Sequence, residues 1–444
     1  MVARLFVTIL VFSLGAGSVL AGEDQAAKPE AEPAAPPPKA EAVEATRKQE
    51  AIPEGKPEAY PHPFPGPAGL AVTPPGADVT CRIESYLQLW VVVLEQVENG
   101  KRQPYTGDTA APEASGFSFR RARLSADFAL ADAPVDARIG LRWEGSPGLL
   151  DAWGRWNPLD GALVVQAGQM KVPSAYEVGV SSAGLDFPTR SRFAQRVVDW
   201  SLSRGPSMSS AFPGARTYLR DAGLAVRGEL FGGRYFLMIG NGLGANFFIG
   251  GHEYKQFLFT NGFGAYFYGI RLSWDPLLAF EKRLEGFPVR SVRIGGHACW
   301  NRHPEVILND ERTVTDLFRR SWSWDVRLDV LGRVRLTWMM GGGVVDDDFD
   351  HDGKTDYLYR GWEAKAVVVV WPGWLEAGFR WDAYWDEKFK SGDDGYLDAY
   401  TLGLTFTFAR TLRVQMSYTW KILTSAAEPD LDDDLFLIAL QLGL

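Results

Sequence analysis

Arginines at alternate positions are the first feature of this sequence that carries chemistry. Arg121 and Arg123 flank Ala122, and Arg138 and Arg142 share one parity in Val135-Asp136-Ala137-Arg138-Ile139-Gly140-Leu141-Arg142-Trp143-Glu144. A guanidinium is a planar fork of donors that fits the oxygens of phosphate or carboxylate. A ring of such groups around an aqueous passage selects anions, and a ring of carboxylates selects cations. Strand parity puts Lys171, Arg227, Arg271, Arg293 and Arg380 on the same face as Arg121 and Arg123, and we read this set as an anion-binding pore lining. Acids such as Asp127, Asp136, Asp325, Glu363 and Glu376 are interleaved with it. The alternative is therefore that the arginines pair with acids on neighbouring strands and brace the wall.

A second group lies in Asp348-Phe349-Asp350-His351-Asp352-Gly353-Lys354-Thr355-Asp356. Carboxylates at alternate positions before a glycine turn can converge on one hard cation, so Asp348, Asp350, Asp352 and Asp356 form a candidate calcium site. Tyr359 stands where such loops carry a bidentate glutamate, and a solvated acidic loop is the alternative. No other cofactor is expected. An outer-membrane hydrolase would need a serine beside a histidine, or a histidine with acids. Of His62, His252, His297, His303 and His351, strand assignment places only His297 on a strand, facing inward, with no serine or paired-acid context around it. An enzyme is therefore not expected.

These residues need elements to hold them. In Val135–Glu144 every odd residue is apolar and every even one is charged or glycine, so one face of a strand is greasy and the other polar. The same alternation runs through Arg121–Leu130, Trp324–Val330, Tyr400–Phe408 and Phe436–Leu444. Sixteen strands are expected, starting near residues 81, 117, 134, 148, 162, 221, 234, 264, 289, 321, 333, 360, 374, 398, 411 and 435. Tight turns such as Phe231-Gly232-Gly233 and Leu331-Gly332 alternate with long polar links, the pattern of a bacterial transmembrane β-barrel. A water-soluble β-sandwich would also alternate, but the polar face here is too charged for a dry core. Trp143, Trp156, Trp274, Trp300, Trp362, Trp381, Tyr400 and Trp420 fall near strand ends on the apolar face, as interfacial girdles do.

Three segments follow. Residues 1–21 carry one positive charge, Arg4, an apolar run and the small-residue pattern Val19-Leu20-Ala21, and are read as a signal peptide. Residues 22–78 are rich in Ala, Pro and Glu and are read as a disordered periplasmic tether. Residues 79–444 are the barrel, and the segment from about 173 to 220 is expected to fold inward as a constriction loop carrying Arg190, Arg192, Arg196 and Arg204. The net charge of −9 gives no basic excess for nucleic acid, which is excluded as a partner. Cys81 and Cys299 are expected at opposite rims, beyond disulfide reach.

Several motifs resemble the phosphate-selective porin O/P family across most of residues 80–444. They are Phe119-Arg120-Arg121-Ala122-Arg123-Leu124, Gly168-Gln169-Met170-Lys171-Val172-Pro173 with Glu177, Arg220-Asp221-Ala222-Gly223, Asn241-Gly242-Leu243-Gly244-Ala245-Asn246 and Leu375–Asp382, with Gln441 in the final strand. The resemblance implies an outer-membrane porin with inward-folded loops, commonly a homotrimer, assembled by the barrel-assembly machinery among outer-membrane lipids. It also implies small anionic solutes, phosphate among them, as cargo. Two departures stand out: a Pro/Ala/Glu tether replaces a heptad-like segment, and Leu444 stands where the family has phenylalanine. A non-selective or other-substrate channel, and an outer-membrane protein with a purely structural role, are the alternatives.

Overall fold

The computed structural model describes residues 70–72, 78–96, 116–143, 148–191, 193–194, 220–240, 266–277, 289–307, 313–346, 357–388, 395–409, 411–425 and 431–443. The segments expected to be a signal peptide and, for nearly all its length, a tether lie outside the described residues, as do Arg192, Arg196, Arg204, Asp348, Asp350, Asp352 and Asp356.

A short strand, β1 (Leu70–Val72), precedes β2 (Val79–Gln96), β3 (Gly116–Leu130), β4 (Val135–Arg142), β5 (Gly148–Trp156) and β6 (Val164–Lys171). After an inward segment come β7 (Arg220–Leu230), β8 (Gly233–Gly240), β9 (Tyr266–Trp274), β10 (Val289–Ile307), β11 (Thr313–Val330) and β12 (Val334–Asp346). The last five are β13 (Tyr357–Trp371), β14 (Leu375–Lys388), β15 (Gly395–Ala409), β16 (Leu412–Ser425) and β17 (Leu431–Gly443). Each strand from β2 onward pairs antiparallel with the next, and β17 returns to β2, closing a sixteen-stranded barrel. Closure satisfies the backbone polar groups between strands, which a spanning sheet in lipid requires. Gly443 faces Tyr86 at the seam, leaving the first residues of β2 without a β17 partner. There β1 takes over, pairing Leu70 with Ile83 and Val72 with Cys81.

The tight turns use the backbone geometry their residues allow. Phe231 and Gly232 have φ of 53° and 74°, and Leu331 and Gly332 have φ of 56° and 62°. Positive φ at both central residues is what a two-residue hairpin needs to follow the right-handed twist of its strands.

Most outward-facing positions are apolar. Trp274, Trp300, Trp322, Trp324 and Trp338 are exposed on the outer face of β9 to β12. On β13 to β15, Trp381 packs edge-on to Trp362 and stacks on Tyr400. The outer face of β3 to β6 interleaves Ala122, Ala126, Ala137, Ala152 and Ala167 with larger exposed residues such as Leu124, Ile139 and Trp156. With its apolar outer band, the closed barrel is an outer-membrane protein.

Two positions differ from the expectation because β10 is longer than alternation alone revealed. It continues to Ile307, so His303 is paired within it, opposite Leu317, and is not beyond its end. For the same reason Cys299 sits near the middle of the strand, buried, instead of at the rim; both cysteines are free.

Candidate functional site: a loop and an arginine wall inside the barrel

The chain leaving β6 turns into the barrel at Val172-Pro173 and forms a single helical turn, α1 (Tyr176–Gly179), and a 3-10 turn, Ser182–Gly184. It then lies along the inner wall. Its root is held by β9 to β11: Arg271 donates to the Ser174 carbonyl at 3.0 Å, the Cys299 thiol to the Pro173 carbonyl at 3.1 Å, and the Arg327 guanidinium covers the Tyr176 ring at 3.8 Å.

Further on, the loop's own carboxylates turn towards the wall. Asp186 meets Lys365 of β13 and Arg335 of β12, each at 3.0 Å, and Glu177 lies 3.7 Å from Lys365 while accepting from the Ser191 N–H at 2.8 Å. Burial alone would raise both carboxyls. Lys365 and Arg335 instead hold Asp186, and Lys365 and Arg380 hold Glu177, below the usual carboxylate range. Backbone carbonyls complete the attachment. Arg413 donates to those of Ala183 and Leu185 (3.1 and 2.9 Å), Gln415 to those of Leu185 and Asp186 (both 3.0 Å), and Arg380 to that of Thr189 (2.8 Å).

Aromatic rings seat the loop where glycines flatten the wall. Gly378 and Gly403 are register partners on β14 and β15, and a Cβ on either would sit 2.9 or 2.7 Å from the Phe187 ring. Gly361 does the same for Phe193 at 2.8 Å. Phe193, Val178, Ala175 and Ala194 join Met339, Tyr359, Tyr384 and Leu397 in a dry cluster within the barrel.

The other side of the interior differs. Arg190, on the loop, holds the carbonyls of Glu177 and Val180 at 3.2 and 3.0 Å. Its electrostatic neighbours are Arg123, Arg220 and Arg120 as well as Glu177. Burial, and then these guanidiniums against the opposing pull of Glu177, bring its pKa down to about 10. Arg121 lies among Arg123, Arg120 and Arg190, and Lys171 among Arg220, Arg190 and Arg123. Arg220 engages Asp151 on this wall through Nε and Nη2, at 3.0 and 3.1 Å, while Glu84 and Asp127 meet Arg138 and Asp136 meets Arg155. The Tyr86 hydroxyl, Gln88 Nε2 and Trp90 Nε1 on the adjoining face of β2 are buried donors with no hydrogen-bond partner among the described residues.

The expected set is therefore divided. Arg121, Arg123, Lys171 and Arg190 come together. Arg271 and Arg380 do not join them, a correction to the expectation. Arg271 is bound to Asp325 at 2.7 Å and to the loop root, and Arg380 to Asp382 and the loop, so both are loop anchors. Arg227 lies further along β7, opposite Phe236, and Arg293 lies on β10, opposite Arg327. Arg120 and Arg220 are additions. Strict alternation turns Arg120 outward, but a bulge opposite Gln88–Leu89 shifts the register there, and its guanidinium stacks on the Trp90 ring at 4.8 Å. A run of three cations in four residues was the signal that the alternation breaks at this point. His297 faces inward as expected, and the structure adds a partner, the Ser323 hydroxyl. Its Nε2 has no hydrogen-bond partner among the described residues.

No protein-family model matches the sequence, and no curated protein matches it. Solved structures do match in fold. An anion-selective porin from Comamonas acidovorans aligns at TM-score 0.53 and 11% identity, covering 82% of this chain and 100% of that one. OmpT, an outer-membrane protein of Vibrio cholerae in its trimer form, aligns at 0.52 and 10% identity over 83% and 100%. The outer-membrane channel DcaP of Acinetobacter baumannii aligns at 0.51 and 10% identity over 84% and 100%. The chain shares the porin fold with these proteins.

Proposed function

We propose that this protein is a porin for passive diffusion of small solutes with a preference for anions. One observation carries the reading: charge is sorted across the interior. The loop's carboxylates are engaged by Lys365 and Arg335, whereas Arg120, Arg121, Arg123, Lys171 and Arg190 crowd together beside Asp151, which Arg220 already occupies, and Glu84, Asp127 and Asp136 on the same wall are taken by Arg138 and Arg155. Such a cluster keeps a positive local field even though the whole chain is acidic, and an anion passing it gains what these cations lack from one another. The unpartnered donors of Tyr86, Gln88 and Trp90 add to that preference.

Planar-bilayer recording under a salt gradient tests this directly. A reversal potential of the anion-selective sign is expected; cation preference, or no conductance, would defeat the reading. Phosphate specificity is the finer proposal and rests on the motif resemblance. Millimolar phosphate should block a chloride current, and an unaffected current would remove phosphate from the candidates. A homotrimer is the assembly the motif resemblance implies, and the apolar outer face of β3 to β6, where alanines alternate with Leu124, Ile139 and Trp156, is our candidate for its interface, which cross-linking from cysteines placed there would test. Calcium remains our candidate ligand for Asp348, Asp350, Asp352 and Asp356. Calorimetry showing no heat with millimolar calcium would end it.

A further inference from the structure

Among the described residues, β11 and β13 each carry an exposed cation on the outer face where alternation calls for an apolar side chain. Arg320 on β11 and Arg360 on β13 point outward, away from the lumen. Their inward neighbours Arg319 and Tyr359 are buried inside. Arg320 stands opposite Trp300 and Val344, and Arg360 opposite Gly342 and Trp385. Gly342 in turn faces Trp322, so a glycine floor lies between an arginine and a tryptophan. A Cβ at Gly342 would come within 2.5 Å of the Tyr359 carbonyl, so no side chain fits there, and the glycine is buried beneath its neighbours.

Their height in the membrane follows from strand geometry. Arg320 precedes Val330, the last residue before a tight turn, by ten positions, and Arg360 precedes Trp371 by eleven. At about 3.3 Å per residue and a tilt near 40°, they rise roughly 25–28 Å above the periplasmic turns. The apolar band of such a barrel is about 25 Å tall, so both guanidiniums emerge at the headgroup level of the outer leaflet. Below them every outward position is apolar: Trp322, Trp324, Val326 and Leu328 on β11, and Trp362, Ala364, Ala366, Val368 and Val370 on β13. Two strand spacings and two residues separate the pair, about 12 Å.

We propose that Arg320 and Arg360, with Trp300, Trp322 and Trp385 beside them, bind the phosphomonoester headgroup of an outer-leaflet glycolipid. A guanidinium matches phosphate oxygens in shape and charge, and the indole rings suit the boundary between headgroup and acyl chain. The site is on the opposite face of the wall from the arginine cluster and is independent of pore selectivity.

The test uses the full-length chain refolded in detergent and native mass spectrometry, with bisphosphorylated lipid A, its dephosphorylated form and phosphatidylglycerol as probes. The wild type should retain the bisphosphorylated lipid in preference to both others. Arg320→Gln and Arg360→Gln should each lower its affinity about fivefold, the ratio that corresponds to about 1 kcal/mol per charge at a membrane surface, and leave the reversal potential unchanged. Equal retention of the three lipids by the wild type, or undiminished binding by the double variant, overturns the proposal. The lipid comparison needs no variant, so it holds even if a substitution impairs folding.

Discussion

The inner wall of β2 to β7 and that of β11 to β16 are built from the same alternation and the same residue types, yet they do opposite things with their cations. On β11 to β16, Arg335, Lys365, Arg380 and Arg413 each have an acceptor on the inward loop. On β2 to β7, Arg121 and Arg123 have other cations, Arg190 among them, as their main electrostatic surroundings; Lys171 shares that neighbourhood but also donates to the Gly179 carbonyl of the loop at 3.0 Å. The lesson is that a lumen arginine is a brace or a selectivity element according to what the loop sets opposite it. Removing a partner from a buried ion pair costs far more than an exposed pair contributes, so the two walls should respond to substitution on different scales.

The largest effect should come from Lys365→Met. It leaves Glu177, Asp186 and Glu363 beside a neutral side chain, at a cost of about 3–5 kcal/mol. The loop should detach, seen as a larger and noisier single-channel conductance; unchanged conductance would mean that the loop is held elsewhere. Gly403→Val should come next, costing about 1–3 kcal/mol by pushing into the Phe187 ring, with a lower unfolding temperature as readout. The arginine wall should behave differently. Replacing Arg121 and Arg123 by alanine should lower the anion-to-cation permeability ratio several-fold, on the order of 1 kcal/mol, with conductance of a still-docked loop. An unchanged reversal potential would make them braces after all.

Acidity and alkalinity should separate the walls too. Asp186 and Glu177 have depressed pKa values, so the docking they support is full above the ordinary carboxylate range and is lost only as pH falls through their lowered values. Conductance should therefore hold from neutrality down to about pH 4. Arg190 is a cation below about 10 and loses its charge above it, so anion preference should be flat to pH 9 and decline beyond. The smallest effect belongs to Arg138→Ala. Its contacts with Glu84 (3.1 Å) and Asp127 (3.3 Å) are part-exposed, and the change should cost about 0.2–1 kcal/mol by chemical denaturation.

The strands were legible because alternation is a local property: each expected start falls on or beside an observed strand, and the glycine turns lie between them as read. What alternation cannot show is a partner distant in sequence. Arg380 and Thr189 are 191 residues apart, and Arg413 and Ala183 are 230 apart, so nothing near either arginine announces that it holds a loop. Arg120 was hidden for a different reason, since a bulge adds one residue and flips parity at that point alone. The lumen glycines carried a signal that went unread. Gly378 and Gly403 interrupt inward rows of larger residues, and a bare patch in a wall implies something pressed against it.

The seam has a topological consequence. β1 and β17 lie end to end along one edge of β2, with Leu70 opposite Ile83 and Gly443 opposite Tyr86. Three residue steps, about 10 Å, separate the two ends. A linker of a few residues could fuse them into a continuous strand, turning the chain into a covalent ring. New termini could then be opened in any short turn, such as the one at Gly373, so that where this polypeptide starts is a matter of gene order and not of barrel architecture.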